Sequence, residues 1–579
     1  MMRFSFLRLV TVASVLACVA SECETKRDNQ TRPPGTLGES KDELNAPPSI
    51  ATQGTVGSSC FVQGVRLMRV RGFGLVTGLQ GRGSSGCPAS VREEIERELV
   101  RFASANPHLK NLPPSDSVVD SLDTAVVEVM GEIPAGARKN RRFDVFVTAI
   151  DPATKSLVGG RLMHCDLKIF HEVEPARVLE GRALARAGGP VFINPVLLDG
   201  DNTGEPDLLT GPVIAGGENL DDRTLRLVTP VESYSMVQRM ADVINTHFDT
   251  DPKTADAASA TNINLTVPKQ YVGREGRFLE IVLHLPVSTS PMELEARGKV
   301  LVGELGRPDA PLEDVALSLE GLGKSVLPLV QTLYTDARRH VNYYAARTGM
   351  RLGDELAGEV MARHARDPNS PFRMTAIREL GESPLTYIAA VVMQELLGDS
   401  DPRVRILAYE AIKRVDPGAI VRLRIGQQSG NFVLDVLPAR GSPLIYARRT
   451  GSRRIALIGG ESLALKPPLF YSSPGTGMTL SAQPDDRQVT VMLQIGNGRI
   501  GPYKIPLDLP VLIRFLGNDP EKDVDGRLMG LGLDYGAVLH ALYRLGETGA
   551  IDAEVRWEEP SIEDVVGPLK PLGRPESDL

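Results

Sequence analysis

Between Arg71 and Gly86 the chain reads RGFGLVTGLQGRGSSG, and a glycine run of this density restricts the local backbone to tight turns and close approaches. Gly72, Gly74, Gly78, Gly81, Gly83 and Gly86 let a short strand-like segment, LVTGL, bend tightly at both ends. A phosphate-cradling loop needs Gly-Lys-Ser/Thr at its end, or a strand, GxGxxG and a helix with an acidic residue beyond. Neither pattern is met, so the glycines are read as structural.

About 50 residues later, Ala125–Met130 and Phe143–Ile150 are apolar and β-branched, the pattern of two buried strands. Pro134, Gly136 and the basic run Arg138-Lys139-Asn140-Arg141-Arg142 form the polar connection between them. That run reads as a solvated loop, with contact to an acidic envelope polymer as the alternative.

The glycine run and these strands now support a comparison. VRGFGLVTGLQGRG (Val70–Gly83), Ala125–Ile150 and KSLVGGRL (Lys155–Leu162) resemble the flagellar P-ring protein family. Leu225–Phe248 is similar to that family's strand followed by a helix, and Ile263–Val287 follows in order. The resemblance covers about residues 65–287. It implies a homomeric ring around the flagellar rod in the periplasm, at the peptidoglycan layer. Rod and outer-membrane ring proteins would be neighbours, with no catalytic activity or cofactor. Subunits of such a ring meet front to back, since that geometry closes into many members.

With 579 residues, 42% hydrophobic and 24% charged, the chain is long enough for three to four domains. A net charge of −8 argues against nucleic-acid binding, and 5% aromatic content with the single Trp557 argues against a base-stacking platform. Arg3, Arg8 and the apolar Leu9–Ala20 read as a secretory signal, residues 1–21. Val15–Cys18 resembles a bacterial lipobox, which would make Cys18 a lipidation site and anchor the chain. Ordinary cleavage near Ala20 or Ser21 is the alternative. Residues 22–57 read as a flexible linker. Either cleavage leaves Cys23, Cys60, Cys87 and Cys165, which allow three disulfide pairings. A bridge within the P-ring-like module (58–290), involving Cys87, stands beside buried free thiols as the alternative.

Catalytic chemistry finds little support. In His164-Cys165-Asp166, with His171 beyond, His164 and Asp166 fall on one strand face and Cys165 on the other, so the cluster does not converge. No HExxH, CxxC or GxSxG occurs. No catalytic, cofactor-binding or metal residue is assigned.

Residues 308–422 are helical in pattern and resemble HEAT repeats, with helices ending near Leu352, Leu380 and Val415 and introduced by Asp336, Asp367-Pro368 and Asp401-Pro402. Such arrays offer an extended surface to a protein partner. Residues 424–567 read as a β-rich domain: FVLDVLP, PLIYARR, RRIALIGG, VTVMLQIG and YKIPLDLPVLIRFLG as short strands, one helix at Asp534–Leu545 and a last strand at Trp557. Residues 568–579 read as a mobile tail. The expectation is a multidomain α+β structural protein whose P-ring-like module carries added helical-repeat and β domains. A non-flagellar envelope lipoprotein scaffold that recruits a partner through the repeats is the alternative.

Overall fold

A computed structural model describes residues 49–558, except 85, 106–114, 170–181, 194–207, 428–429, 461–462, 474–475, 496–497, 523–525 and 527. The signal and lipobox with Cys18, most of the linker with Cys23, His171 and the C-terminal tail lie outside the described residues.

Strands β1 (Phe61–Gln63) and β2 (Met68–Thr77) precede helices α1 (Ala89–Ala105) and α2 (Ser115–Val119). Then come β3 (Thr124–Ile133), β4 (Arg142–Ala149), β5 (Arg161–Ile169), β6 (Ala185–Pro190) and β7 (Thr210–Asn219). Strands β2 to β7 close into an antiparallel barrel in the order β2-β3-β4-β7-β6-β5. Alternation decides the wall: Val127, Val129, Val145, Val147 and Leu167 fill the interior. Met130 and Phe146, paired across β3 and β4, face outward at 47% and 52% exposure. The two strands expected to be buried are therefore buried on one face over most of their length, and on both only near Val126 of β3. Outside the wall, α1 packs Val91 and Ile95 against Leu75 and Val126.

A second layer follows the barrel. Strand β8 (Leu225–Val228) leads into α3 (Tyr234–Phe248), β9 (Ala255–Ala257), β10 (Asn262–Leu265) and α4 (Glu275–His284). The antiparallel sheet runs β1-β8-β10-β9. Its apolar residues Leu225, Leu227 and Ile263 share a core with Met240, Ile244, Phe278 and Val282 of the two helices. The Ser233 side chain accepts from Met236 N–H and starts α3, as an N-cap should.

Helices α5 (Pro291–Glu304), α6 (Leu312–Gly321), α7 (Leu327–Val330), α8 (Arg339–Arg351), α9 (Glu355–Arg366), α10 (Arg373–Gly381), α11 (Thr386–Leu396) and α12 (Pro402–Val415) form the array. From α8 to α12 each helix packs on the next, and α9 and α10 also reach α11 and α12 respectively, giving a continuous, largely apolar core. Asp401 caps α12 through Arg403 N–H. Asp336 and Asp367 start turns instead, accepting from Arg338 N–H and Asn369 N–H, while Asp354 caps α9. Two of the expected helix starts are therefore corrected: an Asp two residues ahead of a backbone N–H makes the same bond in an Asx turn as in a cap.

The remainder comprises β11 (Val421–Ile425), β12 (Phe432–Leu437), β13 (Leu444–Ala447), β14 (Arg454–Ile458), β15 (Leu469–Ser472), β16 (Met478–Ala482), β17 (Gln488–Ile495) and β18 (Gly498–Pro506), then α13 (Leu509–Gly517), α14 (Tyr535–Glu547) and β19 (Glu554–Trp557). A mixed sheet runs β11-β12-β14-β13-β19 and an antiparallel one β15-β16-β17-β18. The mixed sheet lays one face on the helical array and the other on α13 and α14. LPVLIRFLG, expected as strand, is helix α13. Asp508 accepts from Val511 N–H, Pro510 sits in the first turn, and burial among apolar neighbours conceals the helical period.

Candidate functional site

The glycine run lies at the seam where the barrel closes. Strand β2 pairs with β3 without interruption, but its register with β5 breaks between Arg71 and Val76. Gly72 and Gly74 occupy that break. A Cβ at Gly72 would collide with the Asp166 carbonyl, and one at Gly74 would sit 2.8 Å from Leu162 Cδ1 and 3.2 Å from Cys165 Sγ. These glycines are mid-strand, not at the bends expected for them. The turns belong to Gly78 and Gly81, with φ of +83° and +80°, and Gly83 is pressed against the Thr124 carbonyl. The motif serves close backbone approach in a small, strongly curved barrel.

The basic run is the β3–β4 connection, and it joins barrel to second layer. Arg138 donates to the Val267 carbonyl, Lys139 N–H donates to Asp222 at 2.6 Å, and Asn140 turns the chain at φ +65°. Arg223, just ahead of β8, donates to the Ile133 carbonyl at 2.7 Å. Arg138 is thus engaged within the molecule.

On β5, His164 and Asp166 face outward and Cys165 inward. Asp166 accepts from Arg101 and Arg186 at 3.0 and 3.1 Å. Burial pushes the Cys165 thiol up, and the Cys60 thiol to about 12. Cys60, Cys87 and Cys165 are free thiols, with Cys60 and Cys165 in different cores, and Cys23, the fourth cysteine of the expected pairings, lies outside the described residues. Those residues contain no group of three or more His, Cys, Asp or Glu placed to hold a metal. None of their helices is long and apolar enough to cross a membrane.

Two polar networks, not anticipated from the pattern, bind these layers together. In the first, Arg277 of α4 pairs with Glu320, and Arg274 with Glu382 at 3.3 Å. Arg347 reaches Glu313 and Glu379 at 2.5 and 3.0 Å, and Arg351 reaches Glu379 and Glu382 at 2.5 and 3.1 Å. Burial works against the Arg351 charge, but Glu379, Glu320 and Glu382 outweigh it and hold its pKa above the ordinary value. Burial likewise pushes Glu379 up, yet Arg351, Arg347 and Arg277 hold it below the usual carboxylate range. In the second, buried Asp435 on β12 accepts from Tyr409 of α12 at 2.7 Å, Arg422 at 2.9 Å and Arg454 at 2.6 Å. Such networks fix geometry, because breaking one partner leaves a buried charge uncompensated. The arrangement is that of a rigid scaffold.

Residues 56–304 match the family model of the flagellar P-ring protein. The match takes in the barrel, the second layer and α5, and so runs past Val287, where the resemblance in the sequence gave out. The flagellar P-ring protein of Sodalis glossinidius is 26% identical over 242 residues, 40% of this chain and 61% of that protein. That of Syntrophotalea carbinolica is 27% identical over 272 residues, 44% and 67%. Flagellar P-ring protein 1 of Photobacterium profundum is 24% identical over 370 residues, 60% and 91%. The chain thus spans less than two thirds of the Sodalis protein's length.

Proposed function

We propose that this chain is a structural subunit of a periplasmic ring resembling the flagellar P ring, assembling with copies of itself around the rod at the peptidoglycan layer and performing no catalysis. The observation that carries this reading is the match over residues 56–304, which coincides with a closed barrel and its attached layer. The geometry of a small barrel with a glycine seam suits a rigid repeating unit, and its copies would meet heterologously to close a ring. The helical array, tied to that unit through Arg274 and Arg277, and the C-terminal sheets, tied to the array by the Asp435 network, would add mass to each subunit and a surface for a protein partner. The basic β3–β4 connection is compatible with a neighbouring acidic polymer only through side chains other than Arg138. Gold labelling of an epitope-tagged chain in isolated basal bodies tests the reading. Label on the ring around the rod supports it, and label absent from basal bodies but present in the envelope contradicts it.

A further inference from the structure

Strand β11 is an edge of the five-stranded sheet, with β12 on one side and no strand on the other among the described residues. Val421 is 56% exposed. Beside this edge lies a cleft of about 400 Å³ lined by Arg424, Ile425, Gln427 and Arg514 among others. The two arginines approach the edge from opposite faces of the sheet. Arg424 alternates with Leu423 and Ile425, whose side chains join the core under α13, the helix that carries Arg514. Arg424 shares the other face with Arg422, which is committed to Asp435. Neither Arg424 nor Arg514 makes an ion pair within the described residues. An extended segment laid along this edge would need an acidic residue on each of its two faces, which two consecutive acidic residues supply.

The chain contains such a segment after β19: Ile562-Glu563-Asp564-Val565-Val566. We propose that this segment of one copy adds as an antiparallel strand to β11 of a second copy. In the register that sets Ile562 beside Ile425 and Val566 beside Val421, Glu563 stands opposite Arg424, and Asp564 projects to the face of Arg514. The ladder supplies main-chain hydrogen bonds and the acid–arginine contacts supply selectivity.

Chain length requires a second copy. The segment leaves β19, which runs parallel to β11 at the opposite edge of the same sheet. A strand outside β11 lies about 24 Å from β19, five spacings away. From Glu558 to Ile562 the chain spans at most about 14 Å. The exchange is therefore directional, front to back, and it rests on the reading of the chain as a ring subunit.

Disulfide trapping tests it in the full-length chain. Val421→Cys and Val566→Cys chains are purified separately, mixed and mildly oxidised, and the product is mapped by mass spectrometry. The expected result is a dimer linked 421 to 566 in the mixture alone. It should fall about tenfold or more with E563K/D564K in the donor and return with R424E/R514E in the acceptor. No 421–566 dimer, or an intramolecular 421–566 link in the doubly substituted chain, overturns the proposal. Basal-body rings from an E563K/D564K strain that match the parent also overturn it and leave the ring reading standing. Parent basal bodies lacking this chain remove the reading on which it rests.

Discussion

Replacing Asp435 by Asn is expected to destabilise the junction between the helical array and the C-terminal sheet by about 3 kcal/mol. The carboxylate is fully buried and receives Tyr409, Arg422 and Arg454 at 2.7, 2.9 and 2.6 Å. Asparagine keeps the shape but leaves two guanidiniums without a counter-charge. The upper part of the usual range, about 3 to 5 kcal/mol for breaking a buried pair, does not apply because the Arg422 side chain is 39% exposed. A cooperative unit of this size loses about 2–4 °C of Tm per kcal/mol, so scanning calorimetry should show its transition about 6–12 °C lower. The pH dependence gives a second reading. Burial pushes the Asp435 carboxyl up, but Arg422, Tyr409 and Arg454 hold it below the ordinary value of 3.8. The unfolded chain therefore takes up this proton first as pH falls. The stabilisation is present above pH 3.8 and lost below it, and the gap between parent and variant should close on acidification. A Tm within about 1 °C of the parent at neutral pH would refute the reasoning.

Gly72→Ala and Gly74→Ala should each destabilise the barrel by about 1–3 kcal/mol, read as lowered Tm, because the new methyl meets the Asp166 carbonyl or Leu162 and Cys165. Gly303→Ala, in α5 with open space around it, should instead be neutral or stabilising by up to about 1 kcal/mol, and equal losses at all three positions would contradict the seam. In the native chain iodoacetamide should modify half-buried Cys87 before Cys60 or Cys165, as mass spectrometry of timed digests would show; rapid labelling of Cys60 would count against the packing. Burial, then Asp166, raise the Glu98 carboxyl to about 7. Its folded form holds a proton that the unfolded form releases, so stability falls as pH rises from about 4.5 to 7. Glu98→Gln should accordingly gain Tm over the parent at pH 8 more than at pH 5, and a pH-independent difference would refute this.

Much of the fold was legible where periodicity is strong. The β3 and β4 strands, the helix at Tyr234–Phe248, the array around Asp401–Val415 and the C-terminal strands at Phe432–Leu437 and Arg454–Ile458 all carry clean apolar patterns. Helix α1 went unread because Glu93, Glu94, Glu96 and Glu98 dominate SVREEIERELV, while Val91, Ile95 and the partly buried Leu99 mark the face it turns to the barrel. Helix α13 was misread because it is apolar on nearly every side. The glycine run announced itself, but its mid-strand placement depends on β5, nearly 90 residues further on, and no local pattern carries that closure. The Arg351 and Asp435 networks were invisible for a similar reason: charged residues on separate helices and strands look like solvated surface until packing brings them together.

The ring claim is tested most directly by electron microscopy of intact basal bodies from a strain carrying an in-frame deletion of this gene, with the complemented strain beside it. The ring around the rod should disappear in the deletion strain and return on complementation. Intact rings and normal motility in the deletion strain would contradict it.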